Sequence, residues 1–320
     1  MNAPTSPAIS VVICSYTVER WPDLVAAVES VQRQTVPPQE IIVVVDHNPD
    51  LLQLVRTRLP EVVAVANQKS RGLGGARNSG VAVAHGAVIA FLDDDAVAAP
   101  DWLAQLGAGY ARPEVVGVGG AIAPLWCGER PKWFPEEFHW IVGCSYRGMP
   151  HTVAAVRNLF GCNMSFRREA FDALGGFHLG YGCDETEFCI RLQQRWPHKV
   201  LLYNPRARVH HRVLPSRVRW RYFRSRCYFE GRSKAVVSWL VGRGDGLACE
   251  RTFTWRTVPQ GVIRGVADAT LHGNIAGLRR AGLIVAGLAI TTAGYVSGSL
   301  FVVEAAHERG WSGHPQRRQG

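Results

Sequence analysis

The stretch Val88-Ile89-Ala90-Phe91-Leu92-Asp93-Asp94-Asp95 decides how the rest of the chain is read. Five apolar residues in a row suit a strand buried on both faces, and three carboxylates stand at its carboxyl end. Clustered acids at a sheet edge are costly unless a cation sits among them. The Asp93-x-Asp95 spacing fits one divalent ion. A cap for a helix starting near Pro100-Asp101, with the other acids solvated, is the plainer alternative.

Upstream of the triplet, Ile9 to Cys14 and Ile41 to Val45 are two more buried runs, closed by Ser15-Tyr16 and by Asp46-His47-Asn48-Pro49. Leu24, Val25, Val28 and Val31 recur with helical spacing between them. A second helical stretch runs to Arg58, a short apolar run covers Val62 to Ala66, and a glycine-rich segment leads into a helix over Ala76 to Ala84. Strands alternating with helices predict an α/β fold, a Rossmann-like, mostly parallel sheet flanked by helices. Ligands of such sheets gather at the carboxyl ends of the strands, where Tyr16, Asp46 and Asp93 to Asp95 all fall. The segment Ser70 to Asn78 fails as a dinucleotide fingerprint, because Arg77 stands where the third glycine belongs and the segment follows the third strand. It reads instead as a glycine turn into a helix whose first turns carry Arg77 and Asn78, suited to a nucleotide or its phosphates.

Taken in order, Val-Val-Ile-Cys-Ser-Tyr16, Glu-Ile-Ile-Val-Val-Val-Asp46, Gly-x-Gly-Gly-Ala-Arg77-Asn78 and Phe-Leu-Asp93-Asp94-Asp95 with Pro100 and Trp102 resemble the family 2 glycosyltransferases of the GT-A fold. The resemblance continues through Gly161-Cys162-Asn163-Met164-Ser165-Phe166-Arg167, Gly175-Gly176-Phe177 and Asp184-Glu185-Thr186-Glu187, and ends near His210-His211. It implies an inverting enzyme that uses a nucleotide-sugar donor, a UDP- or GDP-sugar, and a divalent metal, Mg2+ or Mn2+. Tyr16 and Asp46 would meet base and ribose, Arg77 and Asn163 would help hold the donor, Asp93 would serve the ribose or metal side, and Asp95 would ligate the metal. Asp94 is expected to point away and to tolerate asparagine. The second strand ends in Asp46-His47-Asn48-Pro49 where the family often carries two acids followed by Gly-Ser, so the resemblance does not carry over to the base.

Phe188, Leu192 and Trp196 recur one helical turn apart, which predicts a helix with one buried stripe from Asp184 onward. Asp184 and Glu187 have capping-box spacing, and Glu187 can also pair with Arg191. Glu185 is then left for chemistry, in a first turn whose dipole favours a carboxylate. The resemblance aligns Glu185 with the general base, with Asp184 as its competitor. Adjacent histidines on a strand face opposite ways, so only one of His210 and His211 can meet the site. The family pattern selects His211 as a metal or diphosphate contact, against a buried, satisfied histidine.

The chain of 320 residues, with 47% apolar residues and a net charge of +10, can hold one large domain of about 200 residues with an appendage, or two ordinary domains. We expect a catalytic domain over 1–212 and a basic, apolar helical region over 213–320. Eight cysteines without Cys-x-x-Cys spacing argue for reduced thiols, and the first apolar run is too short for a signal peptide, so the catalytic domain is expected in the cytoplasm. Ten cations between Arg206 and Lys234 face a single acid, Glu230, which suits an anionic membrane surface or a phosphorylated substrate. No nucleic-acid signature accompanies them, and nucleic acid is excluded as a partner. Between Pro124 and Pro150, Trp126, Trp133, Phe134, Phe138 and Trp140 sit among prolines in a loop-rich excursion, to stack on sugars or lipid or to form a satellite core. Ala281 to Val303 carries no charge and is long enough to cross a bilayer, so membrane association is expected, spanning or lying flat. The acceptor is expected to be a lipid-linked or envelope glycan, with a soluble small molecule as the alternative. Outside this class stand a sugar nucleotidyltransferase, which lacks its lysine-bearing glycine loop here, and a non-catalytic nucleotide-binding scaffold.

Overall fold

The computed structural model describes residues 7–178, 183–242, 244 and 247–308. The chain divides into two compact units, one of residues 7–125, 150–178 and 184–212 and the other of 126–149, 183 and 213–308. Residues 126–149, counted above with the first 212, thus fold with the C-terminal helices. Their aromatic rings explain why. Phe134 and Phe138 pack on Phe223 at 5.9 and 5.5 Å between ring centroids, and Phe138 meets Phe253 at 5.7 Å. Phe134, Phe138 and Phe223 are fully buried, so this stretch forms a satellite core.

In the first unit, β1 (Ile9–Ser15), α1 (Trp21–Gln32), β2 (Glu40–Val45), α2 (Pro49–Arg58), β3 (Val63–Ala66), α3 (Leu73–Val83) and β4 (Val88–Asp93) follow one another in the expected alternation. They are followed by β5 (Ala96–Ala98), α4 (Trp102–Gly109), β6 (Val115–Trp126), β7 (Ala154–Val156), β8 (Asn163–Arg167), α5 (Arg168–Leu174), α6 (Asp184–Arg195) and β9 (Val200–Val213). The sheet order is β3-β2-β1-β4-β8-β6-β9-β5, with β7 pairing β9. The first four strands are parallel, and β8 joins β4 antiparallel. Two carboxyl ends, those of β1 and β4, are side by side because Cys14 is in register with Asp93. The apolar runs are buried nearly throughout, as strands covered on both faces must be.

Asn163 corrects the sequence reading. It is fully buried at the start of β8, accepts from the Trp102 indole at 2.8 Å, and donates to the carbonyls of Ala121 at 3.0 Å and Ala207 at 2.9 Å. One amide therefore ties α4, β6 and β9 together, and a donor contact is the wrong role for it.

Glu187, on the buried face of α6, accepts from Arg191 at 2.8 and 3.0 Å and pairs with His178 at 3.0 Å. Arg191 also donates to the carbonyls of Leu174 and Gly176, so the pair fastens α6 to the turn after α5. Burial acts to raise the pKa of Glu187, but these partners outweigh it and hold the carboxyl below the ordinary range.

The second unit contains α7 (Trp220–Val241), the short α8 (Ala248–Thr252), a π-helical turn (Phe253–Thr257), α9 (Val258–His272) and α10 (Ala276–Glu308). Within α10, Ala276–Phe301 is long and apolar enough to cross a membrane. Glycines let α7 and α10 touch backbone to backbone. A Cβ on Gly231 would lie 2.0 Å from the Thr291 carbonyl oxygen, and one on Gly294 would lie 2.1 Å from that of Tyr228.

Removing one partner of a buried ion pair strands the other charge, so Glu187→Ala should lower the stability of the protein by about 3 kcal/mol in urea unfolding. The depressed pKa means this contribution is present above the unfolded value, 4.5, and fades as pH falls through the lower folded value. The wild-type advantage over Glu187→Ala should therefore be flat from pH 8 to 5 and shrink only below that.

Candidate functional site

Strand ends and the first turns of two helices assemble the site in the first unit. Asp93 ends β4, Arg77 lies in the second turn of α3, and Glu185 lies in the first turn of α6. Arg77 is 2% exposed, with its guanidinium 5.9 Å from the Phe91 ring centre and 5.8 Å from that of Phe177. Its charge is compensated by Asp93 at 3.5 Å and by Glu185 at 3.9 Å. Gly161 lies flat against it, since a Cβ there would come within 2.6 Å of Nη2. The backbone of the Gly161-Cys162-Asn163 motif thus has a steric reason for its glycine. Asp184 occupies the same first turn as Glu185.

Asp95 and His211 are brought together by strand register. Directly after the triplet, β5 turns back and pairs antiparallel with β9, setting Ala96 opposite His211 and Val97 opposite His210. His211 Nε2 lies 3.1 Å from Asp95 Oδ1, both side chains being buried, and the Arg212 amide donates to the Asp95 carbonyl. His210 faces the other way and is half-buried. One oxygen of Asp93, the sulfur of Cys162 and one ring nitrogen of His211 lie within 4.8 Å of one another. Oxygen, nitrogen and sulfur donors at that spacing fit a divalent transition metal, with Asp95 adjoining through His211. Cys162 has no role that its motif or any spacing rule reveals, because its neighbours Asp93 and His211 are distant in the chain.

Asp94 does not point away. It is 3% exposed, accepts from Ser15 Oγ at 2.7 Å and from Arg20 Nη1 at 2.8 Å, and Arg20 also reaches Asp95 at 3.5 Å. Burial raises its pKa, with Ser15 and Arg20 pulling the other way. Arg20 then spans two of the three carboxylates and relieves the repulsion that the bare sequence posed.

Tyr16, just past β1, is exposed, with the Arg20 guanidinium 5.4 Å from its ring centre. Asp46, just past β2, accepts from Asn67 at 2.6 Å, from the Gly72 amide at 2.9 Å and from the His47 ring at 2.7 Å. Gly72, at φ 117, starts the turn into α3 in a conformation that favours glycine. Burial pushes the Asp46 pKa up, but the three hydrogen bonds prevail and hold it below the ordinary carboxylate range. The carboxylate therefore pins the glycine turn that delivers Arg77.

Two outcomes follow from these contacts. Asp94→Asn removes a charge-assisted bond from Arg20 and should cost about 2 kcal/mol in urea unfolding. Protection of the Gly72 amide against hydrogen exchange, corrected for intrinsic rates, should hold from pH 8 to 5 and fall below pH 3.8, the ordinary value for Asp46.

The sequence profile of the family described as glycosyl transferase family 2 matches residues 10–175, just over half of the chain. The glucosyl-dolichyl phosphate glucuronosyltransferase of Haloferax volcanii is 36% identical over 244 residues, covering 72% of this chain and 78% of that protein. The succinoglycan biosynthesis protein ExoM of Rhizobium meliloti is 24% identical over 251 residues, 75% of this chain and 77% of its own. Among solved structures, the mannosyltransferase PcManGT of Pyrobaculum calidifontis, in complex with GDP-Man and Mn2+, superposes with a TM-score of 0.56 at 18% identity. That superposition covers 96% of this chain and 88% of the other, a likeness of fold. The mixed sheet with its converging strand ends and the matched motifs agree, and the chain belongs to glycosyl transferase family 2, an enzyme built on the GT-A fold.

Proposed function

We propose that this enzyme moves a sugar from a nucleoside-diphosphate donor to an acceptor hydroxyl, with inversion at the anomeric carbon. The observation that carries the reading is the buried Arg77 guanidinium held between Asp93 and Glu185, which sets a strand-end acid and a helix-start acid on one cation. Tyr16 is exposed and free to stack on the base. Asp46 spends three of its roughly four lone-pair sites on Asn67, His47 and Gly72, which leaves one for a ribose hydroxyl. Arg77 steadies the donor, and Glu185 takes the proton from the acceptor hydroxyl. The acceptor oxygen bonds to the anomeric carbon as the bond to the diphosphate breaks on the opposite side, with Asp184 as the competing base.

Asp93, Asp95 and His211 would hold Mg2+ or Mn2+, with Cys162 beside them. Such an ion neutralises the charge that builds on a departing diphosphate. Two solved relatives in fold support the reading, one with GDP-Man and Mn2+ and the other, GalNAc-T7, with UDP, GalNAc and Mn2+. The Haloferax volcanii relative is named for a dolichyl-phosphate-linked glucose, which supports a lipid-linked sugar as the acceptor here. The apolar α10 and the arginine-rich α7 support work at the cytoplasmic face of a membrane.

Turnover of a panel of UDP- and GDP-sugars, with Mn2+ or Mg2+ and with chelator, tests donor and metal together. Glu185→Gln should leave donor affinity unchanged while kcat falls about 100-fold. If Asp184→Asn produces that pattern and Glu185→Gln does not, the base is Asp184. The anomeric configuration of the product, read by NMR against that of the donor, decides inversion.

A further inference from the structure

α10 is amphipathic in an inverted sense. Its buried positions, Gly277, Ala281, Ile284, Gly287, Gly294 and Gly298, are mostly glycine and alanine. Its exposed stripe carries the larger apolar side chains, Leu278, Val285, Val296, Leu300 and Phe301, each more than half exposed. A helix whose partner is protein on one side and water on the other places its large apolar residues inward. Small residues inward and large apolar residues outward is the arrangement expected when the outer solvent is lipid.

The partner helix decides how lipid is met. Tyr228 packs on Gly294, Gly231 on Thr291, and Arg232 and Ala235 on Gly298, so α7 runs parallel to the C-terminal part of α10. Along the same face, α7 carries Arg221, Arg224, Tyr228 and Arg232, all exposed. Tyr228 donates to Ser297 Oγ at 2.9 Å, and the Arg232 guanidinium lies 5.4 Å from the Phe301 ring centre. These arginines therefore border the apolar stripe lengthwise. If α10 crossed a bilayer with this packing intact, Arg221 and Arg224 would run beside its middle, at the depth where a charge is most costly.

We propose that α7 and α10 form an in-plane membrane element that binds an anionic lipid surface without spanning it. The α10 stripe sinks to the boundary between head groups and acyl chains, and Arg221, Arg224 and Arg232 meet lipid phosphates along its edge. The inference deepens the membrane partner proposed above and rests on that reading.

The test uses the purified full-length chain and flotation with vesicles of phosphatidylcholine alone or with one quarter phosphatidylglycerol. Flotation is expected only with the anionic vesicles, and alkaline carbonate should strip the chain from cell membranes. The double variant Arg224→Gln plus Arg232→Gln should lose about 30-fold in vesicle partitioning. Val285→Asp plus Val296→Asp should abolish it, with far-ultraviolet circular dichroism and donor hydrolysis unchanged. Resistance to carbonate, with the C-terminus protected on the far side of the membrane, overturns the proposal in favour of a spanning helix. Absence of flotation together with a dimer in sedimentation equilibrium overturns it in favour of a second copy on the stripe. Either result with donor turnover intact bears on this surface alone and leaves the glycosyl-transfer reading standing.

Discussion

A guanidinium buried among phenylalanine rings has to be neutralised, and that requirement shapes the first unit. Arg77 cannot retreat to solvent, because Phe91, Phe177 and the Gly161 backbone surround it. Two carboxylates from unrelated parts of the chain, Asp93 and Glu185, offset its charge. The turn that delivers Arg77 is in turn fixed by Asp46 through the Gly72 amide. One electrostatic demand thus links α3, β4, α6 and the loop before β8, and the residues suited to chemistry are the ones that answer it.

The acidic triplet obeys the same logic with a division of labour. Asp94 and Arg20 form the structural pair, Asp95 faces His211, and Asp93 faces Arg77 and Cys162. The backbone turns directly after Asp93, so the three adjacent charges find partners on different elements, with Arg20 shared between Asp94 and Asp95. The repulsion that three bare carboxylates would suffer is distributed across partners on α1's approach, β9 and α3.

Much of this was legible in the chain. Buried runs ending in polar residues placed Tyr16, Asp46 and Asp93 at one edge, because parallel strands share the direction of their carboxyl ends. Side chains alternate along a strand, so adjacent His210 and His211 face opposite ways, as their register with β5 has them. What stayed hidden depended on contacts far apart in sequence. Asn163 reads like a polar site residue until Trp102, Ala121 and Ala207 close around it. Asp94 reads as pointing away from its neighbours until Ser15 and Arg20 arrive from the first strand and the turn beyond it. In α10 the apolar composition was plain, but glycines give no signal of burial, so the side that faces inward emerged only from the packing against α7.

The pairing of β5 with β9 also sets how freely this enzyme can diversify. The Asp95–His211 contact depends on a few rungs of a ladder, Ala96 to His211 and its neighbours, and not on the length of chain between them. Insertions in the loops between those strands leave the register untouched, whereas one extra residue in β9 just before His210 would set His210 opposite Ala96 in place of His211. Loops between the two strands can therefore vary in length without moving Asp95 off His211, provided the strands and helices they join keep their places.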